Sequence, residues 1–320
     1  MTKTKPMNRQ ETSPPSPLPV PVVEGAPECI WAAGANLGEG TLWSVREQAL
    51  YWIDILTPRL FWFRPADGAR RAWQFDEEIT AISERANAPG LVLTLRRGFA
   101  LFDTTQLPGA GARPRYLHQP EPERTGNRFN DGKCDARGRF WAGSMDFDCK
   151  APTGALYRYD ADGQCTKHDD GFEVTNGPTW SADGRTMYFN NTVLNKLYAY
   201  DFDMDAGTVA NRRVWHRFPK GNGLPDGMTT DAAGHLWIAH WDGACVTCHD
   251  PVSAAELCRI PLPASNVTDC AFGGADMQTL YITTARNGLT AEQQEAEPLA
   301  GGLFAVRIGS PGVPAALFAG

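Results

Sequence analysis

Six residues stand at one point of an internal repeat, and five of them carry an oxygen donor suited to a hard cation. Glu39, Thr80, Asn130, Asn176, Asp226 and Asp269 each precede a short apolar run by ten or eleven residues. Four have a glycine next or nearly next, as in Glu39-Gly40, Asn130-Asp131-Gly132, Asn176-Gly177 and Asp226-Gly227. Glycine there lets the backbone turn tightly or approach a ligand closely. Carboxylates and carboxamides converging on one axis suit Ca²⁺, Mg²⁺ or Mn²⁺ better than thiophilic metals. Taken singly, each is accounted for by the backbone needs of a turn. Their shared register is what argues for a site.

Other chemistries fail on spacing. No serine has glycine at both i−2 and i+2, and there is no phosphate loop of the G-x-x-x-x-G-K-[ST] type. The six histidines (118, 168, 216, 235, 240 and 249) form no H-E-x-x-H pattern. Cys245 and Cys248 have C-x-x-C spacing, but no second pair accompanies them and residues three apart on a strand face opposite ways. They read as small buried residues. Asp135, Asp183 and Asp231 lie in hairpin-turn contexts and read as structural. Most Trp and Tyr residues recur with the repeat and read as packing. Trp241 and Phe129 flank the site register and are candidates to wall a small pocket.

The elements that must carry these residues are strands. Apolar runs begin at Leu50, Leu91, Phe140, Met187, Leu236 and Leu280, spaced by 41, 49, 47, 49 and 44 residues. Each is followed by a second run that ends in a turn, and the β-branched and aromatic content says strand. Six units of this size predict an all-β fold, a six-bladed β-propeller with the site in its central channel. The segment around Glu28–Ala33 should pair with the last blade and close the ring, removing exposed edges. One short helix is expected around Ala291–Glu297.

Composition narrows the partners. The 320 residues carry 30 Lys and Arg against 37 Asp and Glu, a net charge of −7, which argues against nucleic-acid or anionic-membrane binding. No apolar stretch approaches the ~18 residues of a membrane span. The N-terminal sequence is broken by prolines and lacks the apolar core of a secretory signal, so a cytoplasmic location is expected, with its eight cysteines reduced. Residues 1–26 read as a disordered Pro-rich leader, dispensable for folding, and residues 27–320 as the propeller domain. Oligomeric state is left open.

The runs Leu37-Gly38-Glu39-Gly40-Thr41-Leu42-Trp43, Asn127-Arg128-Phe129-Asn130-Asp131-Gly132-Lys133, Thr175-Asn176-Gly177-Pro178 and Leu224-Pro225-Asp226-Gly227-Met228 resemble the senescence-marker-protein/gluconolactonase/regucalcin-like family. The stretch Asn266 through Arg286 is similar to its bacterial sugar-lactonase members. The resemblance spans about residues 30 to 308 and implies a six-bladed propeller holding one divalent cation (Ca, Mg, Mn, Zn or Fe). It implies Glu39, Asn176 and Asp226 as metal ligands, with Arg128 and Asn130 contacting substrate. Asp148, in the loop after the Gly143-Ser144-Met145 turn, takes the place of a further acidic substrate contact. One departure is Asn190-Asn191-Thr192, where many relatives have an aspartate.

The implied activity is hydrolysis of a sugar (aldono)lactone to the aldonic acid. The cation would polarise the carbonyl and activate water, and Asp226 would serve as general base. Three alternatives stay open at this point: a non-enzymatic calcium-responsive regulatory propeller, a protein-binding scaffold of the WD type, and a hydrolase of other esters or phosphotriesters.

Overall fold

A computed structural model describes residues 18–320. They form six sheets of four antiparallel strands arranged as a β-propeller, the first extended by the short strand Gly109–Ala110, which pairs parallel with Ala69–Gln74. The innermost strands are Gly38–Ser44, Ile79–Glu84, Asn127–Cys134, Thr175–Trp180, Leu224–Thr230 and Asn266–Gly273, in blades 1 to 6. Each contacts the innermost strand of the next blade, and the last contacts the first. The apolar runs found in the sequence are the second strands, from Ala49–Asp54 to Thr279–Ala285. They are buried on both faces because neighbouring blades pack against both, which is why they read as apolar runs rather than alternations.

Aromatic side chains fill the space between blades. Trp52, Trp73, Trp141 and Trp237 are fully buried. Each removes about 150–250 Å² from water, on the order of 4–6 kcal/mol of transfer free energy as an upper bound. Three of these indoles are also anchored, Trp73 Nε1 donating to Gln106 O at 2.8 Å. Trp141 Nε1 donates to Asp135 Oδ2 at 2.8 Å and Trp237 Nε1 to Asp231 Oδ2 at 3.1 Å. The same aspartates accept from backbone N–H groups of their own turns, so these residues are structural, as expected. Asp183 accepts from the Arg185 backbone in the equivalent turn of blade 4.

Ring closure follows the expected route. Strand Val23–Trp31 pairs antiparallel with Leu303–Ile308, with Glu28 opposite Ala305 and Trp31 opposite Leu303. Blade 6 is thereby built from both ends of the chain. The C-terminal segment then crosses the underside of the ring. Gly312 bridges to Asp231 in blade 5 and Phe318 to Arg85 in blade 2. The helix spans Ala291–Ala296, capped by a reciprocal box between Thr290 and Gln293. All eight cysteines are free, and both Cys245 and Cys248 are buried. No helix among the described residues is long and apolar enough to cross a membrane.

The N-terminal boundary differs from the composition-based one. Residues 23–26 belong to the closing strand, with Val23 opposite Ile308 and Glu24 opposite Arg307. Leu18 N donates to Asp250 Oδ2 at 3.1 Å, and Pro19 O accepts from His235 Nε2 at 2.9 Å. Prolines hid this, since a closing strand at a sheet edge tolerates residues that a central strand does not. The expectation for residues 1–17 lies outside the described residues. Deleting residues 1–25 should therefore lower the melting temperature by about 5 °C, given roughly 1 kcal/mol per lost hydrogen bond. Thermal unfolding followed by circular dichroism checks this, and an unchanged midpoint would restore the original boundary.

Candidate functional site

Every innermost strand carries one extra residue at the site register. The pairing with the second strand slips between Glu39 and Leu42, Ile79 and Ala81, Phe129 and Gly132, Asn176 and Thr179, Pro225 and Met228, and Val267 and Asp269. Such bulges bend a strand and re-aim its side chains. Here they free residues such as Asn130, Asp131, Asp226 and Gly227 from the ladder. Gly177 takes a φ of 85°, a conformation that disfavours any side chain. Gly227 is required for a different reason: a Cβ there would stand 2.3 Å from Asp269 Oδ1.

Arg128, Asn130 and Asn176 form one hydrogen-bonded chain across blades 3 and 4. Arg128 Nη1 donates to Asn130 Oδ1 at 2.6 Å and to Phe129 O at 2.9 Å. Asn130 Nδ2 in turn donates to Asn176 Oδ1 at 3.0 Å and to Thr175 O at 2.6 Å. Asn176 Nδ2 donates to Thr192 Oγ1 at 2.8 Å. Both amides are thus oriented, and Asn176 Oδ1 keeps a second lone pair. Arg128 is buried, and burial depresses its pKa. Its Nε and Nη2 donate to no described residue, so they are available to a ligand.

Glu39 and Asp226 are each only 5% exposed, yet neither has a Lys or Arg within ion-pair distance among the described residues. Burial, then the charge of Asp226, raises the Glu39 pKa well above the usual carboxylate range. Burial, then the charges of Asp131 and Asp269, does the same to Asp226. Two buried, unpaired carboxylates beside oriented amide oxygens have the chemistry of a hard-cation site. Asn190, at the departure from the relatives, donates from Nδ2 to Asp226 O at 2.7 Å, a bond an aspartate could not make. Its Oδ1 is buried without a hydrogen-bond partner.

Three further charged residues lie deeper. Asp131 accepts from Gly177 N at 2.8 Å and Gly132 N at 2.7 Å, and burial lifts its pKa to about 6. Asp269 Oδ2 accepts from Thr41 N at 2.8 Å and Thr41 Oγ1 at 2.7 Å. Lys133 Nζ lies 3.7 Å from Asp269 Oδ1. Burial alone would depress the ammonium, but Asp269 and Asp131 outweigh it and its pKa is raised. Asp131 and Lys133 were quoted in the sequence only as part of a motif. Their signal was the run Asn130-Asp131-Gly132-Lys133, in which the bulge between Phe129 and Gly132 shifts the register of the residues after it.

The remaining candidates fall elsewhere. Asp148 is exposed on the loop after strand Phe140–Asp146 and makes no hydrogen bond to the other five. Thr80 is satisfied by Thr94 Oγ1 at 2.7 Å and offers no charge. Phe129 is buried against Phe99 and Tyr157, with Arg128 and Asn130 on either side taking the opposite face, and it borders only a small pocket of about 10 Å³ shared with Arg96, Glu121 and Asn127. Trp241 is half-buried against the blade 1 core. A cavity of about 380 Å³ lies beneath the cluster, lined by Thr41, Lys133, Thr179, Thr230 and Asp269 and covered by Val313–Ala316. Glu39, Arg128, Asn130, Asn176 and Asp226 do not line it, since they occupy the opposite ends of the same strands.

Folding raises the pKa values of Glu39, Asp131 and Asp226, so the folded chain holds their protons more tightly than the unfolded chain does. Cation-free stability should therefore fall as pH rises from about 4 to about 6, the window set by Asp131. A cation favours the ionised forms, so the rise in melting temperature on adding calcium should grow across the same window. Melts with chelator and with excess calcium, at about pH 4 and about pH 7, check this. A calcium effect independent of pH would contradict it.

Comparison with known proteins bears on this cluster. Residues 37–286 match the family described as SMP-30/Gluconolactonase/LRE-like region. The chain is 37% identical over 294 residues to the 6-deoxy-6-sulfogluconolactonase of Pseudomonas putida, covering 92% of this chain and 98% of that one. It is 34% identical over 285 residues to the pentonolactonase XacC of Haloferax volcanii, covering 87% and 93%. Among solved structures, the calcium-binding protein regucalcin of Agrobacterium tumefaciens superposes with a TM-score of 0.85 at 26% identity, covering 91% and 96%.

Proposed function

The chain belongs to the SMP-30/gluconolactonase/LRE-like family, and from that footing we propose that it hydrolyses a sugar lactone to the corresponding aldonic acid with the help of one divalent cation. The observation that carries this reading is the hydrogen-bonded chain Arg128–Asn130–Asn176 together with two buried carboxylates, Glu39 and Asp226, whose charges act on Arg128. It couples a ligand-facing guanidinium to an oxygen cluster of the kind that holds calcium, magnesium or manganese. The two lactonase relatives support the substrate class, and the calcium-binding neighbour supports the cation.

Glu39, Asn176 and Asp226 would hold the cation, with calcium the first ion to try. When bound, it supplies Lewis acidity toward the lactone carbonyl and toward water. Arg128 and Asn130 orient the lactone: the free Nε and Nη2 of Arg128 donate to ring or hydroxyl oxygens, and Asn130 holds the guanidinium in place. Asp226 accepts the proton of the water that adds to the acyl carbon, then returns it to the ring oxygen as the ester C–O bond breaks. Asp148, being exposed, would contact only the outer part of a substrate.

The test is proton release from a panel of aldonolactones, using chelated protein reloaded with single metals. Turnover that needs the metal supports the reading. Calcium binding without turnover of any lactone replaces it with a calcium-responsive, non-enzymatic role. Replacing Asp226 by Asn should preserve the fold, weaken the cation affinity at least tenfold and lower kcat about a hundredfold or more even at saturating metal. Full recovery of kcat with excess metal would leave Asp226 a ligand only. Replacing Arg128 by Ala should leave metal stoichiometry unchanged while kcat/KM falls about a hundredfold. Loss of metal from that variant would make Arg128 a support of the ligand set instead.

A further inference from the structure

Asp226 sits where the sheet cannot fix it. The bulge between Pro225 and Met228 leaves Asp226 and Gly227 without partners on the second strand of blade 5. Their position depends on side chains from three other blades. From blade 4, Asn190 Nδ2 donates to Asp226 O at 2.7 Å. From blade 6, the Asp269 carboxylate packs so closely on Gly227 that no Cβ would fit. From blade 3, Lys133 reaches across the channel, donating from Nζ to Met228 O and standing 3.7 Å from Asp269 Oδ1. Asp269 Oδ1 is buried and has no other partner, while its Oδ2 is held by Thr41 of blade 1.

We propose that Lys133 is a positioning residue, whose ammonium clamps the Asp226–Gly227–Met228 bulge from across the channel and so sets where the Asp226 carboxylate presents its oxygens. It acts through Met228 O directly and through Asp269, whose carboxylate it holds against Gly227. The inference rests on the reading of Glu39, Asn176 and Asp226 as cation ligands. A simple charge-balancing role makes a different prediction. Removing a buried positive charge beside several carboxylates would by itself strengthen cation binding. Removing a clamp costs ligand geometry whatever the charge.

The test compares Lys133→Met, which keeps length but removes the donor, and Lys133→Arg, which keeps charge but moves it. The readouts are the number of water molecules on bound Eu³⁺, from luminescence decay in H₂O and D₂O, and kcat and KM for lactone hydrolysis at saturating metal. Lys133→Met is expected to add one water to Eu³⁺ and to lower kcat at least tenfold, with KM within about threefold, because small misplacements of a reacting group are costly. Lys133→Arg is expected to lower kcat by a smaller factor, about threefold or more, and carries the test if the methionine variant does not fold. An unchanged europium hydration number, or a kcat within about twofold of wild type in a folded variant, overturns the proposal. A wild-type chain that binds Eu³⁺ but opens no lactone overturns the lactonase reading alone, and the hydration number then decides on Lys133. A wild-type chain that binds no Eu³⁺ overturns both.

Discussion

Like charges that share a buried axis repel one another, and at Glu39, Asp131, Asp226 and Asp269 that repulsion adds to lost hydration. The four answer the problem in two ways. Asp131 and the Oδ2 of Asp269 accept hydrogen bonds from neighbouring blades, through Gly177 N and Thr41. Lys133 supplies the one nearby ammonium. Glu39 and Asp226 keep raised pKa values and have no ion-pair partner among the described residues, which makes them the pair that gains most from a bound cation. The division of labour is spatial: the satisfied pair lies deeper on the strands, and the unsatisfied pair lies where the bulges turn the backbone inward.

That arrangement demands a rigid frame, because carboxylates free to move would separate. The frame comes from polar contacts that run around the ring as well as from packing. Thr268 Oγ1 bonds to Gly38 O between blades 6 and 1, and Thr179 meets Thr230 between blades 4 and 5. The buried indoles fix the spacing of the blades, and two of them are tied to aspartates in the hairpin turns. A close-packed interior of this kind does not deform gradually, so the site geometry is set by blade packing more than by the loops above it.

Much of this was legible in the sequence because of one regularity. Apolar runs between Leu50 and Leu280 recur at blade spacing, and each proved to be the second strand of a sheet. Counting back from them located Glu39, Asn130, Asn176 and Asp226 on the innermost strands. The bulges were not legible, because an extra residue in one strand leaves no mark in an apolar pattern. Neither were contacts between blades: Asp269 bonding Thr41 joins residues 228 positions apart. The depth at which Phe129 is buried was not legible either, because it depends on Phe99 in the preceding blade. Residues 23–26 were misread because composition reports local order, while their strand is defined by a partner at the other end of the chain.

The C-terminal segment adds a mechanical property that the blades alone do not have. The closing strand acts as a hoop, holding each blade to the next along the circumference. The tail runs as a chord beneath it, fastened to blade 5 at Asp231 and to blade 2 at Arg85, with Phe318 buried at its far end. A hoop with a single seam opens fully once that seam gives way. With a chord in place, parting the seam leaves blades 2 and 5 still tethered, so the ring can only gape locally and can reclose from a nearly correct shape. The last residues of the chain thus convert a ring that would spring open at one point into one that must fail at two.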